Sequence, residues 1–304
     1  MGLYQKHRPK GIKDIVGNSN TREEVQEMLE SNEVPHAILL TGDTGCGKTT
    51  IARIIGNHLA DKDEYIEIDS ADFRGIDMVR EIRKRSAYRP MKGENRVWLI
   101  DECHKLTGDA QNALLKILED TPKHVYFILA TTEPQKLIKT IKGRCSQLQV
   151  EPLTEVQMKK LIKKTCRAEG EQLEDEVVQQ IAQDSFGRPR EALQILEQVL
   201  RVSEDKRLST AKRSAEKQSE AIELCRMLIK RASWNKVSTI LEGIQQEEPE
   251  SIRRMVLAYC KSILLKNDNP VVGLIMEQFI EPFYNTGFPG LVFACYMVHI
   301  EGEV

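Results

Sequence analysis

Short, mostly apolar runs alternate with longer segments of helical period through the first half of the chain. The runs fall at residues 36–41, 65–69, 96–100 and 125–130. Each is five or six residues long; all read as strands, the first, third and fourth as buried ones, and 125–130 is apolar at every position. Between them, residues 49–59, 76–88 and 107–120 read as amphipathic helices. Ile76, Val79, Ile82 and Ala87 point inward on the second, and Leu114, Ile117 and Leu118 on the third, which Thr121-Pro122 stops. An earlier helix starts near Asn20 or Thr21, with Val25, Met28 and Leu29 as its buried stripe. Strands and helices alternating up to Val150 imply a parallel sheet with helices on both faces.

After Pro152 only the helical period remains. Residues 153–168, 174–184 and 190–201 form a bundle of three helices, with the turn 185–190 between the last two. Residues 203–220 are polar and charged and read as a linker or a frayed helix. Further helices are expected at 224–229, 237–244, 252–265, 271–280 and 291–300. The last is apolar all round, so it must be buried within this chain or against a partner. The division expected is 1–152, 153–202 and 203–304, in keeping with two or three domains for 304 residues.

Chemistry enters where the first strand meets the first long helix. Gly42, Asp43, Thr44, Gly45, Cys46, Gly47, Lys48 and Thr49 fit G-x-x-x-x-G-K-[ST], followed by Thr50. The glycines let the backbone curl so that several N–H groups point at one anion. Lys48 is then expected to reach the β- and γ-phosphates of a nucleoside triphosphate, and the Thr49 hydroxyl to ligate Mg²⁺. The helix N-terminus adds its own positive potential. The third run ends in two acids. Asp101 is the candidate to hold Mg²⁺ and Glu102 to polarise the attacking water; capping the next helix is the bland alternative. The fourth run ends at Thr131-Thr132, where a hydroxyl could orient water, touch the γ-phosphate or simply cap the loop. The polar segment before the first strand carries Arg8 and Val16. It can pack against a bound base or merely cover a sheet edge, and the sequence leaves both open.

Composition narrows the class. With 44 Lys and Arg against 46 Asp and Glu, the net charge of −2 gives no global case for nucleic acid, so DNA contact requires a local basic patch. Arg80, Arg83, Lys84 and Arg85 crowd one helix with Glu81 as the only acid among them, a phosphate-tracking patch or a solvated face. There is no apolar signal region and no run of about 18 apolar residues, which predicts neither secretion nor a membrane span. The seven cysteines form no C-x-x-C pair, which argues against zinc and a disulfide framework and for reduced thiols in the cytoplasm.

Together these pieces resemble AAA+ ATPases, and within them the ATPase subunits of sliding-clamp loaders, over about residues 3–200. Glu119-Asp120-Thr121-Pro122 through Ala130-Thr131-Thr132-Glu133-Pro134-Gln135-Lys136-Leu137 is similar to the bacterial DNA polymerase III gamma/tau subunit, and Ser70 through Asp77 to the small subunits of replication factor C. The resemblance implies a parallel five-stranded sheet, a helical lid and an all-helical C-terminal collar that oligomerises. It makes Thr132 the first sensor and Arg190, in Gly187-Arg188-Pro189-Arg190, the second. Arg144, in Gly143-Arg144-Cys145, becomes the arginine finger acting on a neighbour's ATP, and Arg74, Arg80, Arg83 and Lys84 lie where the family tracks DNA. Sister subunits, a sliding clamp and primer–template DNA are the implied partners, and a bacterial or phage-infected cytoplasm the implied setting. Gly143 replaces the family's serine, His7 its tyrosine, and no cysteine stands at 58–64 for a zinc module. That mixture suits a compact loader subunit of a bacteriophage or another minimal replication system, ending at Val304 without the long bacterial tail. The rivals are a branch-migration helicase, whose winged helix would show β-hairpins near the C-terminus, and a scaffold that binds nucleotide without hydrolysing it.

Overall fold

Successive residues of a strand point to opposite faces, so a run that is apolar at every position needs a core on each side. The computed structural model, which describes residues 2–301 apart from 71–73, 219 and 266, has two such cores around one sheet. The chain divides into two compact units, residues 1–170 with 187–194, and residues 171–186 with 195–304.

The first unit runs α1 (Leu3–Lys6), α2 (Ser19–Ser31), β1 (Ala37–Thr41), α3 (Lys48–Leu59), β2 (Tyr65–Asp69), α4 (Ile76–Ser86) and β3 (Arg96–Asp101). It continues through α5 (Gly108–Glu119), β4 (Val125–Thr131), α6 (Lys139–Arg144), β5 (Ser146–Gln149) and α7 (Glu155–Ala168). The five strands are all parallel, in the order β2-β3-β4-β1-β5. Leu39, Trp98, Ile100, Phe127 and Leu129 face α4, α5 and α6 through Val79, Ile82, Leu114, Ile117 and Ile141. Their neighbours Ile38, Leu40, Val97, Leu99, Ile128 and Ala130 face α2 and α3 through Val25, Ile51 and Ile55. This order sets the C-terminal ends of β1, β4 and β3 side by side. In open sheets that edge is where ligands bind.

Some expected boundaries move, each for a visible reason. α2 begins at Ser19 because Asn18 adopts a left-handed conformation (φ 49°) and spends its side chain on Glu151. Asn18 Nδ2 donates to the Glu151 carbonyl (3.0 Å) and Asn18 Oδ1 accepts from its N–H (2.7 Å). α4 stops at Ser86, and Ala87, expected inward, is exposed. The buried position belongs instead to Ser86, whose hydroxyl accepts the indole N–H of Trp98 (3.0 Å). Of the turn expected at 70–75, residues 71–73 lie outside the described residues.

The second unit is helical throughout its described residues. It holds α8 (Asp175–Asp184), the part of α9 (Pro189–Leu200) from Ile195 onward, α10 (Glu204–Gln218), α11 (Glu220–Ile229), α12 (Trp234–Gly243), α13 (Pro249–Leu264), α14 (Pro270–Phe279) and α15 (Gly287–Glu301). Its core is Leu224, Leu228, Val237, Ile252, Val256, Ile275, Phe279 and Leu291 with their neighbours. Of the two readings for the segment 203–220, the helical one describes α10. Glu204, Asp205, Lys206 and Lys212 are exposed, while Arg207 is buried and bonds the Glu171 carboxylate and the Gln172 carbonyl (2.9 Å each). α15 buries Leu291, Ala294, Cys295 and Val298 but leaves Phe293 63% and Tyr296 43% exposed, so one of its apolar faces is not covered within this chain. Among the described residues no helix is long and apolar enough to cross a membrane. All seven cysteines are buried.

Candidate active site

The loop from β1 to α3 owes its shape to three glycines at positive φ, Gly42 (147°), Gly45 (77°) and Gly47 (114°). At Gly42 the reason is also steric, since a Cβ there would stand 2.0 Å from the Val150 carbonyl oxygen. Lys48 begins α3, and its Nζ donates to the carbonyls of Gly42 and Asp43 (2.9 Å each), which holds the amine across the mouth of the loop. Burial lowers the Lys48 pKa, against the pull of Glu102, Cys46 and Asp101. Cys46 is in the loop by sequence, but its side chain joins the core under α3, and burial pushes the thiol up to about 11.

Thr49 Oγ1 donates to Asp101 Oδ2 at 2.7 Å, across 52 residues of sequence. A hydroxyl and a carboxylate, both hard oxygen donors, fit Mg²⁺, which keeps several waters and takes few protein ligands. Among the described residues no group of three or more His, Cys, Asp or Glu gathers as a metal site, so this pair is what the fold offers such an ion. Glu102, next in sequence, is not a continuation of the strand. It adopts a left-handed conformation (φ 49°), and its N–H donates to Asp101 Oδ1 (2.9 Å). Strain of this kind at a non-glycine residue persists where the surroundings over-determine it. Glu102 Oε2 accepts from Thr132 Oγ1 (3.2 Å). The two threonines thus divide the readings left open by sequence. Thr132 meets the carboxylate, while buried Thr131 caps the loop by accepting the Glu133 N–H (3.0 Å).

These residues border a cavity of about 480 Å³, within the size range of small-molecule sites. Thr44, Gly45, Cys46, Gly47, Lys48, Thr49, Thr50, Asp101 and Glu102 line it, as do Arg8 and Val16 from the N-terminal segment and Arg190 from the start of α9. The α9 start is close because Gly45 packs against it; a Cβ on Gly45 would be 3.6 Å from the Cβ atoms of Arg188 and Arg190. Arg188 pairs with Glu191 (2.9 Å), whose carboxyl burial pushes up. The N-terminal segment is fastened on its other side, where Lys6 and His7 both reach Glu169 at the end of α7.

The remaining candidates lie elsewhere. Gly42, Asp43 and Thr132 do not line the cavity; the first two open the loop after β1, and Thr132 bonds Glu102. Arg144 closes α6 and pairs with Glu119 (2.5 Å), both side chains 38% exposed. Arg74, Arg80, Arg83 and Lys84 are exposed at and before α4, with Arg80 bonded to Asp77 (2.8 Å). The sequence reading missed Asp69, which lines the cavity from the end of β2 opposite Asp101, and Leu161 and Thr165 of α7. A carboxylate ending an apolar run was the available signal for Asp69. It also missed His104 and Glu133, which sit behind Glu102.

Comparison with known proteins agrees with this architecture. Residues 63–154 match the family model described as DNA polymerase III, delta subunit. The gamma/tau subunit of DNA polymerase III from Mycobacterium bovis is 33% identical over 224 residues, 66% of this chain and 39% of its own. The tau subunit of Bacillus subtilis is 31% identical over 91% of this chain and 54% of its own. The chain therefore spans about half the length of such relatives. Among solved structures, the RuvB Holliday junction branch migration motor of Thermotoga maritima superposes with a TM-score of 0.61 at 21% identity, over 77% of this chain and 85% of that one. At that identity the likeness is one of fold. By its sheet order and phosphate loop the chain has the AAA+ fold, and the relatives it is similar to in sequence are DNA polymerase III gamma/tau subunits.

Proposed function

We propose that the chain is an ATP-hydrolysing subunit of a DNA sliding-clamp loader. The observation that carries this is the pair of contacts at the C-terminal edge of the sheet, Thr49 of α3 with Asp101 and Thr132 after β4 with Glu102, beside one phosphate loop. Lys48 and the loop N–H groups hold the β- and γ-phosphates. Bound through Thr49 and Asp101, Mg²⁺ would neutralise charge on those phosphates. Glu102 polarises the water that attacks the γ-phosphorus, with Thr132 fixing the carboxylate. Arg190 reports the γ-phosphate to the helical segment 153–202, which acts as a lid. Arg144, exposed and off the cavity, serves the ATP of a neighbouring subunit, and segment 203–304 forms the oligomerising collar. ATP binding then opens a clamp and grips primer–template DNA through Arg74, Arg80, Arg83 and Lys84, and hydrolysis releases both.

The test is steady-state ATP hydrolysis by the chain with its host's clamp and candidate partner subunits, with and without primer–template DNA. Joint stimulation by clamp and DNA supports the loader reading. Stimulation by branched DNA without a clamp would favour a branch-migration motor, although the described residues after β5 are all helical or irregular and offer no β-hairpin for a winged helix. Tight ATP binding without turnover in any mixture would point to a scaffold.

A further inference from the structure

His104 lies in the turn that follows β3 and has no part in the reaction as proposed. Its side chain is only 7% exposed. Nδ1 is 3.0 Å from Thr131 Oγ1 and 3.3 Å from Glu102 Oε2, while Nε2 is 3.2 Å from Glu133 Oε1. Glu133 is itself buried (5% exposed) and bonded by Lys136 (2.9 Å). The imidazole therefore bridges the turn after β3 to the turn after β4, directly behind the carboxylate proposed to activate water.

A histidine that only fills space meets apolar atoms or a single backbone partner. This one is set between two carboxylates and a hydroxyl. Burial lowers its pKa despite the pull of Glu102 and Glu133, which favours the neutral ring. A neutral imidazole has one N–H and one lone pair, so it cannot donate to both acids at once. Thr131 can complete either arrangement, since its hydroxyl donates or accepts. With the proton on Nδ1 the ring can donate to Glu102 Oε2, and Lys136 still bonds Glu133; with it on Nε2 a lone pair would face Glu102, so the holding contact requires the Nδ1–H form, opposite the bond from Thr132. Of the two groups holding Glu102 from behind, only Thr132 was legible from the sequence.

We infer that His104 is a positioning residue that, through its Nδ1 side, holds the Glu102 carboxylate beside Thr132 and so sets its aim into the cavity. The inference rests on the role proposed above for Glu102. It also specifies which edge of the ring matters. An asparagine amide reaches the place of Nδ1, and a glutamine amide reaches that of Nε2, so the two isosteres separate the contact to Glu102 from the contact to Glu133.

The experiment uses the full chain in the assembly of the hydrolysis assay, with ATP affinity and single-turnover hydrolysis measured for each variant. Glu102→Gln is expected to lose about 100-fold in rate, the scale of a general base. His104→Ala is expected to lose about tenfold in rate while its ATP affinity stays within about twofold, the pattern of an interaction that acts only in the chemical step. His104→Asn should recover to within about threefold of the native rate and His104→Gln should not. Combining His104→Ala with Glu102→Gln should cost no more than Glu102→Gln alone, as expected for residues acting as one unit. A readout independent of turnover is the ¹⁵N NMR of the His104 ring in the chain alone, assigned by its disappearance in His104→Asn; Glu102→Gln should shift its Nδ1 resonance. An unchanged ring in Glu102→Gln, multiplicative losses in the double variant, or a basal rate raised by His104→Ala would each overturn the inference. Native turnover in Glu102→Gln would instead remove the role of Glu102 itself. A dead Glu102→Gln beside a native His104→Ala would remove only that of His104.

Discussion

Glu64 and Arg96 form a buried ion pair under the loop that follows α4, and replacing Glu64 by Gln should destabilise the first unit by about 3 kcal/mol. Both side chains are 7% exposed. Arg96 Nε donates to Glu64 Oε2 (2.7 Å), and its Nη1 also reaches the carbonyls of Arg85 (2.5 Å) and Tyr88 (3.1 Å). Glu64 Oε1 accepts the Met91 N–H (2.7 Å), so both carboxylate oxygens are used. Glutamine offers one acceptor for these two donors and leaves the guanidinium charge buried without a partner. Removing one member of such a pair costs about 3–5 kcal/mol, and the retained acceptor puts this case at the low end. For a unit of this size the melting temperature should fall by roughly 6–12 °C, at about 2–4 °C per kcal/mol. Trp98, stacked under Arg85 (5.3 Å) and buried in the same unit, reports the transition by fluorescence once Trp234 is replaced by Phe. Acidity supplies a second check. Burial alone would raise the Glu64 pKa, but the bonds from Arg96 and Met91 outweigh it, and the folded value is depressed. Its stabilisation is therefore complete above the unfolded carboxylate pKa, about 4.3, and is lost as pH falls through the lower folded value. The stability gap between native and Glu64→Gln should be constant near neutrality and close below about pH 4. A loss under about 1 kcal/mol, the worth of an exposed pair, or a gap unchanged down to pH 3, would refute the reasoning.

Other outcomes follow from the site. Lys48→Ala should weaken ATP binding by at least about tenfold in calorimetry, the loss of charge-assisted bonds to phosphate. Gly42→Ala combines a positive φ with a 2.0 Å approach to the Val150 carbonyl and should lower the melting temperature more than Gly47→Ala, where strain acts alone and no atom lies within 4 Å. Thr132→Val removes the bond to Glu102 and should slow hydrolysis about tenfold while ATP affinity holds, since a hydrogen bond to a charged group is worth about 1.5–3 kcal/mol. Arg144→Ala should leave folding and ATP binding nearly unchanged in the chain alone but cut turnover in the assembly by about 10³, the scale of an arginine finger; native turnover there would remove the trans role.

The fold was legible where one physical demand dominated the sequence. Residues 37–40, 97–100 and 127–130 are apolar at every position because they sit between two cores. The edge strand β5 is different. Only Leu148 of its four residues is buried, so Ser146–Gln149 carries no apolar run, and its partner is known only from the register with β1. In α10 the sequence left linker and helix open, because the partners of its one buried charge, Arg207, lie 35 and 36 positions away.

The site divides along the same line. Gly42 to Thr49 is a local device, a backbone shape that any chain must write with glycines at fixed spacing, so it can be read without a structure. Asp101 and Glu102 are readable because a strand must end before it can present an acid at the sheet edge. The contacts proposed to aim Glu102 are only partly local. His104 stands two residues on in the same turn, but Thr132 reaches Glu102 from the end of β4, and nothing in the order of residues between 102 and 133 states that β3 and β4 are neighbours. His104 in particular follows Cys103, which faces the core, and precedes exposed Lys105, so the local pattern gives it no polarity of its own. Its meaning comes from the sheet order, which sets two turns side by side and leaves an imidazole between two acids. The phosphate-loop half of the candidate site is thus written in the chain, and the contacts proposed to aim Glu102 owe their setting to the topology.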